Sequence, residues 1–330
     1  MMRRFISNEI TMIWKAVFLT LALVGTTTAQ EVTPPTAKPE KQSFEFKDGD
    51  RLVLIGNTVI EREQRYGTLE PRLALALGDT KVSVRNLAWS GDTVFGHARS
   101  YFGPPEEGIQ RLTTHLDLLK PTVVMLCYGS EMAFEGLSGL PNFLTGYRNL
   151  LDLMRKQAPG VRLIIVSPPP VESLAAPLPD LAYANKSLSS FRDALRKFAL
   201  SQNTYFIDLF ELMGGVPKAG VTAQPLTENG VHYTQAGYEK LSSKLVIGLG
   251  LAAPAFANAE LEPITREVLH KDELFFNRWR PQNETYLFGF RKHEQGQNAK
   301  EIPMFDPLID QADGKIQAAK AALLASKKQL

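Results

Sequence analysis

Short apolar runs alternate with longer amphipathic segments along most of the chain, and turn residues separate them. The apolar runs predict five strands: Arg51–Gly56, Lys81–Leu87, Thr122–Tyr128, Arg162–Ser167 and Thr204–Asp208. The amphipathic segments predict helices over much of Gly67–Leu77, Glu107–Leu119, Leu140–Gln157, Leu181–Gln202 and Thr234–Leu249. This alternation is typical of an α/β fold in which helices cover both faces of a parallel sheet.

Residues 1–29 have the pattern of a secretory signal peptide. Basic residues, among them Lys15, precede the apolar run Ala16–Val24, and Thr27-Thr28-Ala29 offers small residues for cleavage. The run is short for a membrane span. We therefore expect export to the periplasm or the cell exterior, with no stable membrane span after cleavage. An uncleaved anchor is the alternative.

The pattern divides the rest of the chain into three parts. Residues 30–45 are rich in Pro, Thr and Lys and predict a linker, 46–251 predict the folded domain, and 252–330 predict an extension. The extension is dense in aromatic and basic residues and ends in an Ala- and Lys-rich helix over 312–328. It is either a lid, in which Trp279, Arg280 and Arg291 would suit sugars or acidic esters, or a packing strap across the domain.

Charge and cysteine content limit the classes of binding partner and the kind of stabilisation expected for this 330-residue chain. Removing residues 1–29 takes Lys+Arg from 37 to 34 and Asp+Glu from 35 to 34, so the mature protein is close to neutral. This balance gives no electrostatic support for nucleic-acid binding, and a small-molecule or polysaccharide partner fits better. Cys127 is the single cysteine and is expected to be a buried strand residue.

The histidines give no sign of a metal site. His97, His115, His270 and His293 show no metal-ligand spacing with one another or with Cys127. We expect no metal and no cofactor, and no feature of the sequence indicates an oligomeric state.

Four short motifs lie at the ends of predicted strands or just before the last of the predicted domain helices: Gly56-Asn57-Thr58, Asn86 to Gly91, Gly129-Ser130-Glu131, and Glu228 to His232. Ligand sites of parallel α/β sheets lie at the carboxyl ends of the strands. The order of these motifs resembles the SGNH (GDSL-like) hydrolases over roughly residues 47–250. In that family the blocks supply a nucleophilic Ser, an oxyanion-hole Gly, an oxyanion-hole Asn, and a His with its Asp.

The resemblance implies a fold and an activity. The fold is a three-layer α/β/α, flavodoxin-like arrangement with a central parallel five-stranded sheet, here followed by a C-terminal extension. The activity is hydrolysis of acyl esters, including acetyl esters on polysaccharide. The resemblance also implies that Gly91 lies in the oxyanion hole and that Asn57 and Ser130 line the pocket.

The resemblance places Thr58 at the position of the nucleophile. The hydroxyl of Thr58 can attack an acyl carbon, but its methyl group stiffens the side chain and crowds the approach. The alternative is that Thr58 caps the helix or turn that follows. Ser90 is a possible substitute nucleophile on the same rim.

Glu131 stands where the family has the oxyanion-hole Asn. An amide donates hydrogen bonds, whereas an ionised carboxylate only accepts them and opposes negative charge on a carbonyl oxygen. A protonated Glu131 would donate, and burial raises the pKa of a carboxyl group in the direction that this needs. The alternative is a solvated loop carboxylate.

His232 is expected to be the base, because its surroundings match the last block of the family. Asn229, three residues earlier, replaces the family's Asp, and an amide orients an imidazole without stabilising its charged form. Glu228 is a second candidate for the missing carboxylate.

Three hypotheses follow for the function. The first is an exported esterase that uses Thr58 and His232, and the second is a non-catalytic binding module that keeps the pocket but has lost the chemistry. The third, a flavin- or nucleotide-binding protein, is disfavoured because the loop after the first strand lacks a phosphate cradle and carries Glu61 and Glu63.

Overall fold

The structure is a computed structural model that describes residues 43–101, 103–216, 224–252 and 256–328. The predicted signal peptide and most of the predicted linker fall outside these residues. Phe44, near the end of that linker, is already buried, and its N–H donates to the carbonyl of Leu249 at 2.8 Å. No helix within the described ranges has the length and apolar character that a membrane crossing requires.

The five predicted strands form one parallel sheet. They are β1 (Asp50–Gly56), β2 (Val82–Asn86), β3 (Val123–Cys127), β4 (Arg162–Val166) and β5 (Tyr205–Ile207), and their order across the sheet is β2-β1-β3-β4-β5. Each strand ends within one residue of its predicted limits. The α/β fold class and the five-stranded parallel sheet are therefore confirmed.

The five predicted domain helices are also present, and their ends differ from the prediction by two residues or fewer. They are α2 (Leu69–Ala76), α3 (Pro105–Leu119), α5 (Leu140–Gln157), α6 (Ala182–Ser201) and α8 (Gln235–Gly248). Short helices lie at strand ends: α1 (Thr58–Glu61), α4 (Ser130–Phe134) and α7 (Leu209–Leu212). The extension contains α9 (Asn258–Trp279), α10 (Glu284–Leu287), α11 (Lys292–Gln295) and α12 (Phe305–Lys328).

Alternate residues of each strand enter two separate layers of the core. On β1, Val53 and Ile55 pack with residues of α3, α5 and α6, whereas Leu52 and Leu54 pack with residues of α2 and α8. Cys127 is buried in the second layer, as expected from the sequence. Because both faces of the sheet are covered, the inner strands β3 and β4 are apolar along almost their whole length.

The extension packs against the edge strand β2. Helices α9 and α12 lie together, and Lys271 of α9, which is 1% exposed, donates from Nζ to the carbonyl of Val84 in β2 at 3.0 Å. The same ammonium pairs with Glu70 of α2 and, at 2.8 Å, with Asp272. The extension thus supplies hydrogen bonding and cover to an edge that would otherwise expose unpaired backbone groups.

We expect Lys271→Met to destabilise the protein strongly. It keeps the length of the side chain but leaves Glu70 and Asp272 buried without their cation, a change that typically costs about 3–5 kcal/mol. Urea unfolding measures the effect, and the exposed Lys240→Met is the matched control, expected to change stability by less than about 0.5 kcal/mol. Equal stabilities for the two variants would contradict this role for Lys271.

Candidate active site

Three of the four motifs meet because β1 lies between β2 and β3. Trp89, after β2, donates its N–H to the carbonyl of Gly56 at 3.0 Å, and Asn57 donates its N–H to the carbonyl of Cys127 at 3.4 Å. A Cβ on Gly56 would lie 2.6 Å from the Cys127 oxygen, so only glycine permits this approach. The loops after β1, β2 and β3 therefore lie side by side at the carboxyl edge of the sheet.

The hydroxyl of Thr58 faces the loop that carries Gly91. The N–H of Gly91 donates to Thr58 Oγ1 at 3.1 Å, and Gly91 has φ of +73°, a conformation that favours glycine. The helix cap is Asn57, whose Oδ1 accepts from the N–H of Val59 at 3.2 Å. The alternative that Thr58 is the cap is therefore wrong, and its hydroxyl is left to the site.

Glu131 lies on α4, partly buried, and contacts the first motif. Its Oε2 accepts from Asn57 Nδ2 at 2.7 Å, so the interpretation as a solvated loop carboxylate is wrong. Burial raises the pKa of Glu131 to about 7, and the nearby Asp92 adds to the rise while the Asn57 amide opposes it. Both protonation states are populated near neutral pH. Ser130 is the partly buried first residue of the same helix.

His232 is oriented by Asn229. The Asn229 Oδ1 accepts from the N–H groups of Val231 (3.2 Å) and His232 (2.9 Å), so the amide nitrogen is directed elsewhere, and it lies 3.2 Å from His232 Nδ1. An amide nitrogen only donates, so Nδ1 is the acceptor. This hydrogen bond assigns the proton of the neutral ring to Nε2.

Glu228 is directed toward a different partner. Its carboxylate is half exposed and binds Arg62 Nη2 at 2.7 Å. Burial lowers the pKa of His232, and Arg62 and Arg65 lower it further while Glu228 acts in the opposite sense. The neutral form of the His232 ring is therefore favoured. The side chain that contacts this ring is Asn229, not Glu228.

Glu172, which sequence reasoning missed, holds the histidine segment in place. Its carboxylate accepts from the N–H of Leu226 (2.9 Å) and of Thr227 (2.9 Å), and its own N–H donates to the carbonyl of Gly230 at 2.9 Å. Tyr233 adds a hydrogen bond from its hydroxyl to the carbonyl of Pro170 at 3.2 Å. The loop after β4 therefore anchors the segment that carries His232.

Ser90, Glu61 and Arg280 link the extension to the site. Ser90 Oγ donates to Glu61 Oε2 at 2.8 Å, and Arg280 Nη1 lies 3.8 Å from Glu61 Oε1. The Arg280 guanidinium also lies over the ring of Trp89, 3.7 Å from its centroid. The end of α9 thus reaches the loop that presents Gly91.

The residues proposed for a lid have different positions. Trp279 is buried and packs edge-on against Trp89, which fits the strap interpretation. Arg291 pairs with Glu294 at 2.6 Å. Trp279 and Arg280 both contact Trp89 in the loop after β2, and Arg280 also lies near Glu61.

The described part of the chain contains no group of three His, Cys, Asp or Glu side chains that could hold a metal ion. A groove of about 1170 Å³ lies at the amino ends of β4 and β5, where Arg162 and Thr204 line it. That edge is opposite to the carboxyl ends, where ligands of such sheets bind.

We expect Glu131→Gln to stabilise the protein increasingly as the pH rises. The pKa of Glu131 is raised from 4.5 to about 7 on folding, so stability present below the unfolded pKa is lost as the pH rises through the folded one. Glutamine cannot ionise and keeps that stability. Melting temperatures between about pH 5 and pH 8 measure the difference, with the exposed Glu135→Gln as control. A pH-independent difference would contradict the raised pKa.

Comparison with known proteins agrees with the fold. The GDSL-like lipase/acylhydrolase family matches residues 50–240. Similar solved structures include a catalytic mutant of the acetylxylan esterase Axe2 from Geobacillus stearothermophilus, at 17% identity and TM-score 0.46 over 64% of this chain and 99% of that chain. Another is a gut microbial diltiazem-metabolizing enzyme, at 12% identity and TM-score 0.55 over 85% of this chain and 97% of that chain. No curated protein matches the chain. Because the family covers more than half of its length, the chain belongs to the GDSL-like lipase/acylhydrolase family.

Proposed function

We propose that this protein hydrolyses acyl esters with Thr58 as the nucleophile. The observation that carries the proposal is the 3.1 Å hydrogen bond from the N–H of Gly91 to Thr58 Oγ1. It places a hydroxyl beside a backbone donor, which is the arrangement that nucleophilic attack on a carbonyl needs. A substrate carbonyl that enters the site exchanges this hydrogen bond for one between the Gly91 N–H and its own oxygen.

The reaction has two halves. Thr58 Oγ1 bonds to the carbonyl carbon, the hydroxyl proton passes to Nε2 of the His232 tautomer that carries its own proton on Nδ1, and the negative charge gathers on the carbonyl oxygen. The N–H groups of Thr58 and Gly91 stabilise that charge. The carbon–oxygen bond to the alcohol then breaks, the alcohol takes the proton from His232, and a water molecule releases the acyl group by the same steps.

Glu131 adds a pH dependence to the oxyanion hole. In its neutral form the carboxyl group donates a hydrogen bond toward the oxyanion, whereas its ionised form repels the developing charge. The raised pKa of about 7 keeps the neutral form available near neutrality. Loss of the neutral form lowers the rate on the alkaline side.

Asn229 limits the rate because it favours the less useful tautomer of His232. A base needs an unprotonated Nε2, but the amide of Asn229 donates to Nδ1 and leaves the proton on Nε2. In serine proteases the same replacement of Asp by Asn lowers turnover about 10,000-fold. We therefore expect a slow hydrolase.

The substrate and the location are further parts of the proposal. The signal-like residues 1–29 and the near-neutral charge of the remaining chain favour an exported enzyme that meets an ester outside the cell or in the periplasm. Acetyl esters on polysaccharide are the substrates that we place first.

A non-catalytic ester-binding module is the second candidate function. The observation that favours it is the Asn229 amide, because a binding site has no need of a basic Nε2. The retained contact between Gly91 and Thr58 would then serve to position a bound carbonyl.

We expect Thr58→Ala to abolish hydrolysis of 4-nitrophenyl acetate, because it removes the attacking oxygen. Thr58→Ser is expected to exceed the wild type, because it keeps the hydroxyl and removes the crowding methyl group. The exposed Thr145→Ala is the control and should match the wild type. Wild-type turnover that survives Thr58→Ala would contradict the proposed nucleophile.

We expect Asn229→Asp to raise kcat by about 100-fold or more, because a carboxylate accepts from Nδ1–H and frees Nε2 to act as base. Steady-state kinetics on the same ester measure the gain, and the exposed Asn149→Asp is the control. A wild type without turnover that becomes active through Asn229→Asp would identify a binding module with a latent site. An inactive wild type and an inactive variant would refute the hydrolase mechanism altogether.

A further inference from the structure

Arg280 is a cation that the extension brings to the rim of the candidate site. It follows the last residue of α9, and about a quarter (26%) of its side chain is exposed. Its guanidinium lies 3.8 Å from Glu61, which in turn accepts from the hydroxyl of Ser90. Ser90 directly precedes Gly91, the proposed oxyanion donor. A substrate held at Gly91 therefore lies close to Arg280.

The positive charge of Arg280 is less well paired than those of its neighbours in the extension. Arg278 makes two hydrogen bonds to Asp306, at 2.7 and 3.1 Å, and Arg291 binds Glu294 at 2.6 Å. The distance from Arg280 to Glu61 exceeds hydrogen-bonding range. Arg280 has a hydrogen bond with the Tyr101 hydroxyl, but burial lowers the pKa of Arg280 and the opposing effects of Glu61 and Tyr101 do not restore it. An anion at this place would lower the cost of burying the charge.

Trp89 does not offer a free ring face for stacking on a sugar. The ring is buried, and the guanidinium of Arg280 covers it at 3.7 Å from the centroid. Cation–π attraction of this kind holds the guanidinium against the ring. Recognition at this point of the rim is therefore through charge and directed hydrogen bonds rather than through aromatic stacking.

We propose that Arg280 binds a carboxylate of the substrate, so that this site takes an ester whose acyl or alcohol part is anionic. The planar guanidinium matches a carboxylate through two parallel hydrogen bonds, a geometry that lysine does not reproduce. The inference rests on the proposed ester-binding site and adds its substrate class. It also gives the extension a function beyond packing, because the residue lies outside the segment 50–240 that matches the family.

Binding tests the inference without need of turnover. Monomethyl succinate represents a carboxylate on the acyl side and glucuronate one on the alcohol side, and dimethyl succinate and glucose are their uncharged counterparts. Ligand-observed NMR titrations of the full chain compare the wild type with Arg280→Gln, Arg280→Lys and the exposed control Arg266→Gln. We expect at least one anionic ligand to bind the wild type more tightly than its counterpart. Arg280→Gln should weaken that ligand about 10-fold or more, Arg280→Lys less, and Arg266→Gln not at all.

Kinetics separate this inference from the proposed hydrolysis. The expected result is that Arg280→Gln lowers kcat/KM for 4-nitrophenyl hydrogen succinate, mainly through KM, by a much larger factor than it lowers kcat/KM for 4-nitrophenyl acetate. The role of Arg280 would be overturned if the wild type bound charged and uncharged ligands equally. It would also be overturned if Arg280→Gln lowered kcat/KM by the same factor for both esters. If no ester is hydrolysed but the carboxylate preference depends on Arg280, the catalytic proposal fails and the binding inference stands.

Discussion

The position of β1 between β2 and β3 is the constraint on which the candidate site depends. Parallel pairing brings the carboxyl ends of the three strands to one edge, and Gly56 has no side chain to separate the first loop from the third. The hydrogen bonds from Gly91 to Thr58 and from Asn57 to Glu131 are possible only because of that approach. The site is therefore a consequence of strand order first and of side-chain identity second.

Glu131 and Asn229, which differ from the family pattern, each have hydrogen-bond partners within the candidate site. Glu131 accepts from Asn57, and Asn229 uses its oxygen for backbone N–H groups and its nitrogen for His232. Burial then shifts the protonation equilibria: the pKa of Glu131 rises and that of His232 falls, so the uncharged form of each group is favoured. Burial thus suppresses the charge of Glu131 and of His232, whereas Glu61 and Arg280 place opposite charges beside the loop that carries Gly91.

A buried ionic cluster around Lys271 joins the extension to the domain. The end of the same helix, α9, reaches the candidate site. Lys271 donates a hydrogen bond to the carbonyl of Val84 in the edge strand β2, and its charge is paired with Glu70 and Asp272. One turn past the buried Phe275, α9 ends at Trp279, and Arg280 follows beside Trp89. The residues that fix α9 to the sheet thereby also fix the position of a cation at the rim.

The sequence by itself determined the five strands, the five domain helices and the order of the site motifs. These depend on local periodicity, and the carboxyl ends of parallel strands must share one edge. It did not reveal α9, because Lys271 and Asp272 interrupt the apolar stripe that runs from Leu261 to Trp279. Only the tertiary structure decided that Asn57 meets Glu131, that Gly91 meets Thr58, and that Arg280 meets Glu61. Each of these depends on which polar groups become close neighbours and lose water when distant segments pack, and no local pattern specifies that.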